Sequence, residues 1–296
     1  MEALVCKSAL NRVRGMEFGW SLNPYRGCAH ACVYCFARTT HTYLDLGAGA
    51  EFSTRLFAKV NVAEVLEAEL ASPRWRHEQV AVGTATDPYQ PLEGGLRLTR
   101  SCLEALARHR TPVTIITKGP MVRRDTDLLQ ELGRRAGCTV CVSIPTVDEE
   151  IWRRTEPGTP APRHRLLAVR HLARAGLRVG VLLAPLLPGI SDSRAQIAAA
   201  VTAAATHEAC FVGGGLVYLK PDVKAYYYAF LEERYPHLLA RYRALYPGAF
   251  AASGQQRAAT AAVRELAERC GVADRRQQPA EPPARPTALA LFDPRG

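Results

Sequence analysis

Along most of the chain, short runs of Val, Ile and Leu alternate with amphipathic stretches. The runs at 22–25, 80–84, 113–117, 139–144, 178–184 and 211–219 are mostly closed by polar residues, Gly or Pro. Strands buried on both faces of a parallel sheet read this way. Between and after them, 62–70, 99–108, 125–135, 163–174, 193–205 and 223–246 space their apolar residues as helices do. Six β/α units in succession predict an α/β fold, with a parallel sheet and helical crossovers. A partial (β/α)6 barrel fits that count better than a closed barrel of eight. In barrels of this kind the chemistry gathers at the C-terminal ends of the strands, so the polar residues there become the candidates. Residues 1–20 carry no clear period and are expected to form an extension capping the barrel. The core is expected over 21–246, a helical segment over 247–272, and a flexible Pro-rich tail over 273–296.

Composition adds limits. Apolar residues make up 48% of the 296, enough for a proper core. The longest nearly apolar run, 179–190, is interrupted by Pro185, Pro188 and Gly189, and is far shorter than the roughly 20 residues of a membrane span. No apolar segment ahead of a cleavage site opens the chain. A soluble, cytoplasmic protein with no membrane partner is expected. The formal net charge is +10, which favours polyanionic partners such as DNA or RNA. The Arg pairs at 123–124, 134–135, 153–154 and 275–276 also read as solvated helix faces. Nine cysteines argue against a disulfide framework and for metal or redox chemistry.

Six of the nine are scattered. The other three stand in Asn23-Pro-Tyr-Arg-Gly-Cys28-Ala-His-Ala-Cys32-Val-Tyr-Cys35-Phe36. Cys-x3-Cys-x2-Cys lets one loop present Cys28, Cys32 and Cys35 to three irons of a single cluster, with Gly27 allowing a tight turn at its entry. Structural zinc takes four ligands, usually in two pairs, and no second pair follows. An electron-transfer 4Fe–4S cluster also takes four cysteines, so three leave one iron open. The competing reading is three buried cysteines at chance spacing.

This spacing, with the aromatic Tyr34 just before the last cysteine, resembles the radical S-adenosylmethionine (SAM) superfamily. The resemblance implies a 4Fe–4S cluster whose open iron chelates SAM. It also implies one-electron cleavage to a 5′-deoxyadenosyl radical, a partial barrel, and a flavodoxin or ferredoxin-type reductant. Within the superfamily the chain is most similar to spore photoproduct lyase and its uncharacterised relatives. That similarity rests on NPYRGCAHACVYCFAR, VGTATDPYQPLE, TIITKG, VSIPT, RTEPGTPAPRHRL and LLAPLLPG. By position it implies that Lys118 and Ser143 hold the SAM carboxylate and ribose. Thr86 stands for a Ser of the same shell, and Ala184 lies where adenine is contacted.

The residues allow other readings. A cation at the end of a buried strand needs an anion, but Lys118 also reads as a snorkelling lysine. Ser143 equally suits a turn or cap. Asp87 is either a ligand of the SAM amino group or a turn cap, and Glu156 with Arg165 is either part of the site or a plain ion pair. Tyr34, Phe36, Arg38 and His41 line the mouth or fix the loop, and Tyr89 and Gln90 are placed similarly. The lyase returns hydrogen from a Cys at the end of its second strand, where this chain has Thr84, and a hydroxyl O–H is too strong a bond for that task. Cys141, two residues before Ser143 on the same strand face, is the alternative thiol, or else an inert packed cysteine.

The leading expectation is a radical SAM enzyme acting on a nucleic-acid base, in lesion repair or modification. The alternatives are a peptide or biosynthetic small molecule as substrate, or a non-catalytic Fe–S nucleic-acid-binding protein. Leu289-Ala-Leu-Phe292, on its Pro-rich tether, resembles the motif by which DNA-processing proteins dock on the sliding clamp, with Ala288 in place of the usual Gln.

Overall fold

The structure is a computed structural model describing residues 1–16 and 18–273. In chain order its strands are β1 (Glu2–Leu4), β2 (Leu10–Arg12), β3 (Trp20–Leu22), β4 (Tyr25–Arg26), β5 (Phe57–Lys59), β6 (Val80–Val82), β7 (Val113–Thr117), β8 (Cys138–Ser143), β9 (Arg178–Leu186) and β10 (Phe211–Leu216). The main sheet runs β10-β9-β8-β7-β6-β3-β2. From β3 to β10 its six members are parallel, and β2 is added antiparallel on β3. The two edge strands do not pair with each other, so the sheet stays open, as a six-unit partial barrel requires.

Pairing register sets the faces. Val82, Ile115, Val140 and Val179 lie side by side across four strands and belong to the main core. That row faces the helices Val62–Leu70, Leu98–Arg108, Thr126–Arg135 and Pro162–Arg174, whose buried residues complete the core. Side chains alternate across a strand, so Cys141 and Ser143 share the opposite face. The helix Arg194–Thr206 opens on a capping box in which Ser193 and Gln196 satisfy each other's backbone N–H. The C-terminal helix Ser253–Arg269 contributes Val263, Leu266 and Ala267 to the same core.

Three expected elements are corrected. The run 22–25 is not one strand: β3 ends at Leu22, and Tyr25 pairs antiparallel with β5 in a separate β1-β5-β4 sheet. Asn23 makes the break, accepting from Ala85 N at 2.8 Å and donating to Thr84 Oγ1 at 3.2 Å, while Pro24 has no N–H for the ladder. The helix expected over 223–246 divides into Pro221–Arg234, a short 3-10 turn Pro236–Leu238, and Leu239–Leu245. Pro236 pushes the preceding Tyr235 out of the helical region, to φ −142° and ψ 55°. The last strand ends at Leu216, after a register shift beyond Gly214.

At the N-terminus, β1 pairs with β5 and β2 edges the main sheet, so part of the segment read as a cap is sheet. Among the described residues no helix is long and apolar enough to cross a membrane. The tail from 274 on, with the Leu289–Phe292 motif, lies outside the described residues.

Candidate active site

The chain leaves β4 through Gly27, at φ +74°, into the cysteine loop. A Cβ there would stand 2.8 Å from Phe52 O and 2.9 Å from Arg55 O, so only glycine fits the turn. From the end of the β6 unit, Thr86 Oγ1 donates to Gly27 O at 2.6 Å. Gln90 donates to the same carbonyl at 3.3 Å and accepts from Ala29 N at 3.0 Å. On the other flank, Val33 N donates to Thr155 O and Gly158 N to His30 O. Gly158 approaches so closely that a Cβ would lie 2.2 Å from Ala29 O.

Beneath the loop lies Arg38, fully buried. Its guanidinium donates to Cys32 O at 3.0 and 3.1 Å, Ala31 O at 3.1 Å and Gly49 O at 2.6 Å, with its face 4.0 Å from the Tyr226 ring centroid. His41 is also fully buried, 3.0 Å from Arg55 O through Nε2. Of the two readings open for Arg38 and His41, the geometry supports fixing the loop.

Cys28 and Cys32 are buried and Cys35 is partly so. Burial raises all three thiols above their usual range, Cys32 to about 12. Ligation of a metal by these thiols would release their protons. Among the described residues, no three Cys, His, Asp or Glu side chains are grouped to hold one metal ion. Three soft thiols on one braced loop fit a multi-iron cluster.

The strand ends meet this loop. Lys118 follows β7, and its Nζ donates to Ser143 Oγ at the end of β8 and lies 3.2 Å from Glu156 Oε1. Ser143 Oγ donates in turn to Ala184 O at 3.1 Å. Glu156 is buried, accepting from Tyr34 Oη and from Arg165 Nη2 at 2.5 Å. Arg165, fully buried, also donates to Ser143 O at 3.0 Å and Pro160 O at 2.8 Å. Lys118, Ser143, Tyr34 and Ala184 are thus brought together, and Glu156 with Arg165 is no surface ion pair. Two cations, fully buried Arg165 and partly buried Lys118, face one carboxylate. Ala184 is exposed.

Other candidates have structural tasks. Thr86 turns its hydroxyl to the cysteine loop. Asp87 accepts from Tyr89 N at 2.8 Å, Thr117 Oγ1 at 2.6 Å and Lys118 N at 2.6 Å, and lies 3.3 Å from His30 Nδ1. Its carboxylate is engaged in a turn and a strand junction, which favours the cap over the ligand. Cys141 is buried on β8, opposite Ile116 and Gly180.

Burial alone would raise Asp87 and Glu156. His30 with the bonds from Lys118 N and Thr117, and Arg165 with Lys118, outweigh it and hold each at about 2. A depressed carboxyl stabilises the fold fully above its unfolded value and loses that contribution as pH falls through its folded value. Urea midpoints are therefore expected to fall from roughly pH 5 toward pH 2, with Asp87→Asn flattening part of the slope. An unchanged slope in that variant contradicts the assignment.

The radical SAM superfamily model matches residues 22–201. An uncharacterised protein of Mycobacterium tuberculosis is 41% identical over 249 residues, covering 82% of this chain and 72% of its own. An uncharacterised protein of Methanocaldococcus jannaschii is 25% identical over 186 residues, covering 63% and 67%. Among solved structures, a mutant of spore photoproduct lyase superposes with a TM-score of 0.70 at 16% identity, over 92% of this chain and 80% of that one. A second lyase variant, with bound AdoMet and dinucleoside spore photoproduct, gives 0.67 at 16%, over 90% and 78%. At such identity these likenesses speak for the fold. With the family match spanning most of the chain and the six-unit sheet in place, this chain belongs to the radical SAM superfamily.

Proposed function

We propose that Cys28, Cys32 and Cys35 hold a 4Fe–4S cluster, that SAM binds beside it along the ends of β7 to β9, and that the enzyme acts on a nucleic-acid base. When bound and reduced, the cluster supplies one electron that splits SAM into methionine and a 5′-deoxyadenosyl radical. The residues of this chain do the rest. Lys118, with Arg165 behind it and Glu156 compensating only one of the two charges, receives the SAM carboxylate. Ser143 offers its hydroxyl oxygen to the ribose, and Ala184, small and exposed, leaves room for adenine. Tyr34, held by Glu156, packs between the loop and Lys118, whose Nζ lies 5.8 Å from its ring centroid. Thr86 takes part by bracing Gly27. Thr84 cannot return a hydrogen atom to a carbon radical. Cys141 is the thiol assigned to that step, and unchanged turnover in Cys141→Ala removes it.

The observation that carries this reading is the pair of cations, Lys118 and Arg165, set against one carboxylate beside the three-thiol loop. Support for a nucleic-acid substrate comes from the +10 charge and from the lyase solved with a dinucleoside photoproduct. The test is 5′-deoxyadenosine formation, measured anaerobically with a flavodoxin reductant, with and without UV-irradiated DNA. Enhancement by damaged DNA is expected. Formation indifferent to DNA moves the substrate to a biosynthetic small molecule, and no formation removes the enzymatic reading.

A further inference from the structure

Three aromatic rings stand in a row at the rim beside the cysteine loop. Phe36 directly follows Cys35 and is 46% exposed. Tyr218, two residues past the C-terminal end of β10, lies 6.4 Å from it between ring centroids. Phe250 is 68% exposed and 4.5 Å from Tyr218, with the two ring planes 35° apart. They come from three segments that the fold fastens together. Leu219 N donates to Ala249 O, joining the Tyr218 strand end to the Phe250 loop. Lys224 Nζ bonds Tyr246 O at 2.8 Å and Gly248 O at 2.7 Å, anchoring that loop from below. Arg38, under the face of Tyr226, fixes the helix Pro221–Arg234 to the cysteine loop.

Phe36 and Phe250 are exposed and Tyr218 between them is partly so; large exposed aromatics cost solvation free energy, and a fastened row of this kind is unusual on a surface with no task. The row stands at the C-terminal side of the strands, where Lys118, Ser143 and Ala184 also lie, and it projects from a protein of net charge +10. Fixed aromatic faces on a basic protein match one chemistry well: unpaired bases stack on the rings while phosphates meet the cations. Paired bases cannot present their faces, so a duplex gains nothing from such rings.

We propose that Phe36, Tyr218 and Phe250 form a stacking platform for unpaired bases of single-stranded nucleic acid, delivering one base to the barrel mouth. The proposal rests on the nucleic-acid reading above and narrows it to unpaired nucleotides. It requires no covalent step.

The test uses the reconstituted full chain with a fluorescein-labelled 12-nucleotide single strand, and the same sequence as a duplex, in anaerobic anisotropy titrations at several salt concentrations. Phe250→Ala and Tyr218→Ala are each expected to weaken single-strand binding about fivefold or more, the usual worth of a base–aromatic stack. The salt slope should stay unchanged, because phosphate contacts are untouched. Duplex binding and 5′-deoxyadenosine formation without DNA should also be unchanged. Single-strand binding that survives both substitutions, or a loss shared equally by the duplex, overturns the platform. So does failure of the unsubstituted protein to bind the single strand. If the variants weaken single-strand binding in a protein that forms no 5′-deoxyadenosine, the platform stands and the enzymatic reading falls. If deoxyadenosine forms but the variants bind normally, the reverse holds.

Discussion

Glu156→Gln is expected to destabilise the protein by roughly 3–5 kcal/mol, the usual cost of leaving a buried charge without its partner. The carboxylate accepts from Arg165 and Tyr34 and faces Lys118, and Arg165 is fully enclosed. Glutamine keeps the shape and can still accept from Tyr34, so the loss reports charge rather than volume. Guanidinium unfolding measures it. The double variant Glu156→Gln with Arg165→Met is expected to recover most of the loss, because both buried charges then disappear together. A loss below about 1 kcal/mol in the single variant, as for an exposed pair, would contradict the buried network.

Arg38→Met carries the second large effect. Methionine retains much of the buried stem but removes every bond to Cys32 O, Ala31 O and Gly49 O. Each buried carbonyl left without a donor costs about 1–3 kcal/mol, and the strain falls on the segment carrying Cys32. Iron loss to a chelator is expected at least tenfold faster than in the unsubstituted protein, with far-UV circular dichroism retained. Arg38→Lys should not rescue it, since one ammonium cannot reproduce a planar fork of donors aimed at four carbonyls, those of Ala31, Cys32, Ala48 and Gly49. Iron retention equal to that of the unsubstituted protein would show that the loop is held by other contacts.

How far the sequence carries is set by how local each signal is. Cys28, Cys32 and Cys35 lie within eight consecutive positions, so their spacing is visible without a fold. Lys118 and Ser143 become candidates because the strands that end there are legible from their apolar runs. Glu156 and Arg165 carry no such local signal. What makes them part of the site is the close passage of Gly158 along Ala29, a tertiary contact with no periodic trace. For Arg38 and His41, the sequence cannot say whether a polar residue after the loop faces the cavity or turns beneath. Only the positions of Gly49, Arg55 and Tyr226 decide that. Apolar residues continue past Pro24 and past Pro236, so the hydrophobic pattern runs on where the missing N–H and the restricted preceding residue end the element.

Thr86 and Asp87 show the opposite limit. Their positions at the end of the β6 unit were legible, but their hydroxyl and carboxylate are engaged by Gly27, Tyr89, Thr117 and Lys118. Position along a strand tells where a side chain stands, not which of its atoms are already used.

The most direct measurement is Mössbauer spectroscopy of the ⁵⁷Fe-reconstituted protein, prepared without oxygen, before and after adding SAM. The account predicts the signature of a 4Fe–4S cluster with one iron site perturbed by SAM, lost in the Cys28, Cys32 and Cys35 triple alanine variant. Bound zinc, no bound iron, or a cluster spectrum that SAM leaves untouched would contradict it.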